Sequence, residues 1–291
     1  MKKIGYGLLV VFFVLGLVAC QSDASPTSTA TSTTTQKTTI KQQSKAIHYS
    51  GVPTLFFHGY GGGTTSFGSM LQRLARNQES KKELTLTVLD DGSILAKGQL
   101  SQKKVNPTVQ VIFQSNKSTQ WNQSQWIAAV LSYLKTRYHI DTVNLVGHSM
   151  GAVSTVDYLE RQKPDETQPQ IKKVLLIAGP FNEFLDTLPF QSQVDLLTNG
   201  PAEQSVRYQQ FVANANRIDQ TIAVEVISGQ LNAHDLSDGT VPLASSLAIV
   251  PLLRDQGIDV DSRIVQGEMA QHSQLHENKE VDELVSHFLW Y

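Results

Sequence analysis

The chain has 291 residues, 40% of them hydrophobic and 17% charged, with 24 Lys and Arg against 26 Asp and Glu for a formal net charge of −2. That length and apolar content can bury a sizeable core in one or two domains, and with no basic cluster beyond pairs such as Lys103 and Lys104 the chain lacks the electrostatic footprint of nucleic-acid binding. Cys20 is the single cysteine, so an internal disulfide is excluded and the folded part must be held by its core.

At the N-terminus, Lys2 and Lys3 precede the apolar run IGYGLLVVFFVLGLVA, which ends at Cys20. A positive start followed by a short apolar stretch is an export-signal pattern, and this run falls short of the ~20 residues a membrane-spanning helix needs. The ending LVAC resembles the bacterial lipobox. That implies a signal peptide over residues 1–19 and a diacylglyceryl group on the sulfur of Cys20; an uncleaved signal anchor with an incidental cysteine is the alternative. Both place the rest of the chain outside the cytoplasm. Residues 20–46 are dominated by Ser, Thr and Gln, with too few apolar side chains to offset the entropy of ordering, and read as a disordered tether.

From residue 47 to 291, short apolar runs alternate with longer helical patterns, which predicts an α/β fold with a mostly parallel sheet and helices on both faces. Strands are expected at VPTLFF (52–57), TVNLVG (142–147), KVLLIAG (173–179), IAVEVIS (222–228) and VDSRIVQ (260–266). ELTLTVLDDGSILAKGQ alternates on both sides of Asp91-Gly92, which predicts a tight hairpin added antiparallel to the sheet. Trp126, Val130, Leu134 and Tyr138 recur at every fourth position and mark the buried face of a helix. Residues 180–221, with Phe181, Phe184, Leu188 and Phe190, are too long for one crossover helix: they form either a cap over a site or two ordinary packed helices. A last helix carries Val281, Leu284, Val285, Phe288 and Leu289 on one stripe, with Asn278 placed to cap it.

GHSMG, residues 147–151, follows the run VNLV and opens the helical stretch AVSTVDYLER. This is G-x-S-x-G in the strand-to-helix setting that exposes a nucleophilic serine at a sheet edge, here Ser149. A serine needs a base, an acid that orients the base, and donors for the oxyanion, each at the C-terminal end of a strand. HGYGGG (58–63) follows the first strand, and the N–H groups of Tyr60 and Met150 are the expected oxyanion hole. After the strand IAVEVISG come Asp235 and Asp238 as candidate acids. A metal site built from His234, Asp235 and Asp238 is conceivable but lacks a paired ligand motif. Two histidines, His272 and His276, follow the last strand as candidate bases; His276, two residues before Asn278, suits a packing or capping role, and His272 has the position expected of a general base.

HGYGGG, GHSMG, SDGTVP and HSQLHEN, in that order, resemble the α/β-hydrolase superfamily, and most closely a group of exported or surface-anchored lipase/esterase-like proteins of Gram-positive bacteria. The resemblance runs from about Ile47 to Tyr291 and has the superfamily's Ser, Asp, His chain order. It implies Ser149 as nucleophile, Asp238 as acid, His272 as base, and Tyr60 and Met150 as oxyanion donors, with no metal or organic cofactor. Ala152 stands where many relatives carry a further glycine. The implied activity is hydrolysis of small-molecule or lipid carboxylic esters by an enzyme anchored at the outer face of the cytoplasmic membrane. Thioesterases, peptidases and acyltransferases share the fold, and a surface-binding lipoprotein that keeps the fold without turnover is the alternative of another class.

Overall fold

The computed structural model describes residues 46–161 and 167–291. The signal peptide, Cys20 and all but the last residue of the tether expected over 20–46 lie outside the described residues. Strands β1 (Thr54–Phe57), β2 (Lys81–Val88), β3 (Ile94–Gly98), β4 (Pro107–Phe113), β5 (Thr142–His148), β6 (Gln170–Ile177), β7 (Ala223–Gln230) and β8 (Asp259–Gln266) form one eight-stranded sheet in the order β3-β2-β4-β1-β5-β6-β7-β8. Each neighbouring pair is parallel except β2 and β3. This is the mostly parallel, helix-flanked sheet that the alternating pattern predicts.

The central strands read as unbroken apolar runs because both of their faces are covered. Along β6, Val174 and Leu176 enter one core and Leu175 and Ile177 the other, following the two-residue period of a strand. One core is closed by α1 (Thr64–Arg76) through Phe67, Met70, Leu71 and Leu74, and by α8 (Lys279–Trp290) through Val281, Val285 and Leu289. The other is closed by α2 (Gln120–Tyr138), where Trp126, Val130 and Leu134 are buried, and by α3 (Met150–Arg161) through Val153 and Val156. Each fully buried aliphatic or aromatic side chain contributes about 1.5–3 kcal/mol, so these two stripes hold the sheet edge that carries the site. Asn278 caps α8 by accepting the Glu280 N–H at 2.8 Å.

Two features differ from expectation. β4 was not anticipated: buried Gln110 interrupts its apolar pattern, its side chain accepting from the Lys82 ammonium and donating to the Thr64 carbonyl at 2.8 Å. The tight hairpin expected around Asp91-Gly92 is present, but only one of its strands is the antiparallel addition. The Leu89 N–H donates to the Ser93 carbonyl at 2.9 Å, and the Gly92 N–H to the Leu89 carbonyl at 2.9 Å, with Gly92 at φ +81°. That is a three-residue turn closed by a left-handed glycine, and only β3 is antiparallel because β2 continues the parallel sheet beside β4. Between Pro180 and Thr221 the chain builds α4 (Gln193–Asn199) and α5 (Val206–Asn214), α4 packing on α6 (Leu243–Leu247) and α7 (Ile249–Asp255) and α5 on α3. Phe181 is buried there, while Phe184 and Phe190 are exposed.

Candidate active site

β5 hands over to α3 through Ser149, whose φ of +55° is left-handed and uncommon for a residue other than glycine. The turn is pinned by the Ser149 N–H donating to the Ile177 carbonyl at the end of β6, 2.8 Å away. The flanking glycines are required by contact. A methyl group on Gly147 would sit 2.6 Å from the Gly151 oxygen, and one on Gly151 would sit 2.4 Å from the Phe57 oxygen. The strained turn therefore presses against β1 on one side and its own helix on the other, which leaves the serine side chain at the sheet edge, half-buried.

His272 Nε2 lies 2.9 Å from Ser149 Oγ, and His272 Nδ1 lies 2.7 Å from Asp238 Oδ2. A carboxylate accepts, so Nδ1 carries the proton and Nε2 is left to accept from the serine hydroxyl. Asp238 is 1% exposed, and its other oxygen, Oδ1, accepts the N–H groups of Thr240 at 2.9 Å and Val241 at 2.7 Å. These two bonds lock the carboxylate on the loop after β7. The main chain repeats the link, because the His272 N–H donates to the Asp238 carbonyl at 2.8 Å.

The rival residues are placed differently. Asp235 accepts the Ser237 hydroxyl at 2.6 Å, and His234 is exposed. Among the described residues no group of three or more His, Cys, Asp or Glu could hold a metal ion. His276 has its Nδ1 3.3 Å from Glu277 and packs its ring against those of His148 and Phe67. Burial pushes its imidazole below the usual histidine range.

The Tyr60 N–H has no hydrogen-bond partner in the described structure, and the Met150 N–H begins α3, where a helix supplies no acceptor. His58 shapes the loop between them. Its Nε2 accepts the Phe113 N–H at 3.0 Å, so its Nδ1–H donates to the Gly59 carbonyl at 2.8 Å. Desolvation lowers the pKa of this buried ring, in keeping with a neutral imidazole that has one donor and one acceptor. Asn116 grips the loop at two points: its carbonyl accepts the Gly61 N–H at 2.8 Å and its side-chain amide donates to the Gly62 carbonyl at 2.7 Å.

Residues 41–291 match the family described as "Alpha/beta hydrolase of unknown function (DUF915)". The chain belongs to this family. A solved structure of a Listeria innocua gene product is 30% identical, over 82% of this chain and 93% of its own, with a TM-score of 0.75. A second, from Lactobacillus plantarum and proposed to be a cell surface hydrolase, is 21% identical over 81% of this chain and 88% of its own, with a TM-score of 0.64; that likeness shows a shared fold. No curated protein matches the sequence. As an α/β hydrolase of this family with Ser149, His272 and Asp238 joined in a triad arrangement, the chain is a serine hydrolase.

Three residues of this hydrolase around the site have roles that the sequence motifs did not assign: His58, Asn116 and His148. His58 directly precedes the glycine run and His148 directly precedes Ser149, so adjacency to a motif was an available signal for both. Asn116 follows a strand that was itself overlooked, and nothing local singles it out.

Proposed function

We propose that this protein hydrolyses carboxylic esters through an acyl-enzyme, with Ser149 as nucleophile, His272 as general base and acid, and Asp238 as the group that orients and balances the imidazole. The observation that carries the proposal is the His272 ring bridging Asp238 and Ser149 at 2.7 and 2.9 Å. Ser149 Oγ attacks the carbonyl carbon as its proton passes to His272 Nε2, and the new oxyanion is received by the N–H groups of Tyr60 and Met150. The imidazolium then protonates the departing alkoxide, leaving the acyl group on Ser149. Water attacks that ester with its proton taken by His272, and the proton returns to Ser149 Oγ as the acid leaves. Residues 180–221 are proposed to shape the acyl site, since they leave β6 a few residues beyond Ile177, whose carbonyl holds the Ser149 N–H.

The reading extends to location: an exported enzyme, lipid-anchored through Cys20 and tethered by residues 20–46. Its support is the charged start, apolar run and LVAC of the sequence, together with a fold shared with a protein proposed to be a cell surface hydrolase. Among the described residues no helix is long and apolar enough to cross a membrane.

A fluorophosphonate probe should label the protein at Ser149, and Ser149→Ala should remove the label and lower ester turnover by about 10⁵- to 10⁶-fold. Labelling that survives the substitution overturns the nucleophile. A panel of esters, thioesters and peptides should show turnover highest on esters; preference for another acyl donor would overturn the substrate class. Metabolic incorporation of a labelled fatty acid, lost in Cys20→Ala, tests the anchor.

A further inference from the structure

His148 directly precedes the nucleophile, is buried beside the ring of the base, and has no part in the proton relay described above. Its exposure is 5%, and its ring centroid lies 4.7 Å from that of His272 and 5.1 Å from that of His276. Phe67 closes a further side, edge to face at 6.4 Å. His148 Nε2 is 3.0 Å from the main-chain carbonyl of His272. A carbonyl can only accept, so Nε2 carries the hydrogen. Desolvation, reinforced by the neighbouring His272, His276 and His58, holds this imidazole well below the usual histidine range, so the donor is a neutral ring and adds no charge beside the base.

Every polar group of His272 is therefore occupied. Its N–H goes to the Asp238 carbonyl, its Nδ1 to the Asp238 carboxylate, its Nε2 to Ser149 Oγ and its carbonyl to His148. Two of those four partners are consecutive residues of one turn, since β5 ends at His148 and Ser149 follows it. We infer that His148 is a positioning residue: it grips the main chain of His272 so that Ser149 and the base are held together by one rigid turn, at the backbone by His148 and at the side chain by Ser149. The strained φ of Ser149 is fixed by the Ile177 carbonyl, so the grip on His272 inherits the position of the sheet. His272 lies on a loop beyond β8 whose only regular structure is short 3₁₀ turns, Glu268–Ala270 before it and Leu275–Glu277 after it. Such a loop needs an external hold to keep a ring within hydrogen-bonding reach of a hydroxyl.

This inference rests on the ester-hydrolase proposal and deepens it. A side-chain amide can donate to the same carbonyl from nearly the position of Nε2, so His148→Gln should keep the grip, whereas His148→Leu fills the space without a donor. With the full chain and an activated ester as substrate, His148→Leu should lower kcat by about 10- to 100-fold with KM little changed, the size expected when a reacting group is displaced by about 1 Å. His148→Gln should return kcat to within about 3-fold of the parent, a pattern that a role in packing alone would not produce. The far-downfield proton resonance of His272 Nδ1–H should persist in the parent and His148→Gln and broaden in His148→Leu. Equal losses in both variants, or no loss in folded His148→Leu, overturn the inference. Should His148→Leu not fold, ¹⁵N-histidine spectra of the parent decide: an Nδ1-protonated His148 cannot donate from Nε2 and overturns it, and an Nε2-protonated ring supports it. Probe labelling of the parent separates the two levels, since failure to label Ser149 counts against the proposed function, and labelling with an unchanged variant rate counts against the grip alone.

Discussion

Gly59 lies directly against Ser149: a methyl group added to this glycine would sit 2.7 Å from the serine Cβ, 3.2 Å from its Oγ and 3.0 Å from the His148 carbonyl oxygen. The two nearest, the serine Cβ and the His148 carbonyl oxygen, are fixed by the main chain, so one backbone must yield. Gly59→Ala should displace either the loop that carries the Tyr60 N–H or the serine itself. The expected result is a fall in kcat/KM of about 100-fold, with a melting temperature lowered by only a few degrees. Steady-state kinetics alongside thermal unfolding test this, and undiminished activity would mean that the loop has slack.

The two histidines of the last loop should separate cleanly. His272→Ala removes the ring that joins Asp238 to Ser149, and turnover should fall by about 10⁴- to 10⁶-fold. His276→Ala deletes a half-buried ring packed on His148 and Phe67 and should cost stability, about 1–3 kcal/mol, while kcat stays within a few-fold. The reverse pattern in kinetics would exchange their roles.

Asp238→Asn is expected to be inactive but folded. The asparagine oxygen can still accept the N–H groups of Thr240 and Val241 that Oδ1 now accepts. Its amide, however, presents hydrogens to His272 Nδ1 and forces the proton onto Nε2, where it can no longer receive one from Ser149. A fall in kcat of about 10⁴-fold with an unchanged denaturation midpoint is the expected pair of measurements.

Arg73 on α1 ties down the chain that follows His272. It donates to Asp282 at 2.5 and 2.9 Å, to Glu277 at 2.9 Å and to the His276 carbonyl at 2.9 Å. Asp282 is buried, and desolvation holds its pKa above the usual carboxylate value even against the opposing pull of Arg73. Arg73→Ala leaves that carboxylate without its cation and should cost about 3–5 kcal/mol in urea unfolding, the penalty for breaking a buried pair rather than its net worth. Arg73→Lys should recover only part, because an ammonium cannot reproduce the fork.

Glu160, at the end of α3, is 1% exposed, and its Oε1 has no hydrogen-bond partner among the described residues. Burial first, and then the neighbouring Asp157, raise its pKa to about 9. A carboxyl whose folded pKa lies above its unfolded value binds its proton more tightly when folded, so its contribution to stability is greatest at and below about pH 4.5 and is lost as pH rises towards 9. Glu160→Gln removes that loss. The stability difference between variant and parent should grow in the variant's favour by about 1.4 kcal/mol per pH unit across this window, read as paired melting curves at pH 5, 7 and 8.5. A difference that does not change with pH would show that Glu160 is ionised when folded.

Much of the architecture is local and was therefore legible. The buried strands announce themselves because an unbroken apolar run such as VNLV has no solvated face to satisfy, and α8 because Val281, Leu284, Val285 and Phe288 repeat at helical spacing behind Asn278. GHSMG is informative for the same reason: glycines at 147 and 151 are demanded by contacts within one turn and the strand beside it. β4 escaped because buried Gln110 breaks its pattern, and its tolerance depends on Lys82 and the Thr64 carbonyl, which are remote in sequence.

By itself the sequence determined the strand-to-helix elbow, the order Ser, Asp, His and the loops that could supply each group, since turn chemistry and apolar period act over a few residues. Only the tertiary structure decided which groups meet. Spacing along a chain does not report distance between strand ends, so the separation of His272 Nε2 and Ser149 Oγ by 2.9 Å across 123 residues is a property of the parallel sheet that brings the ends of β5, β7 and β8 to one edge. The same holds for His148, which in the sequence is only the residue between Gly147 and Ser149 and becomes a grip on the base only because the end of β5 meets the loop that follows β8.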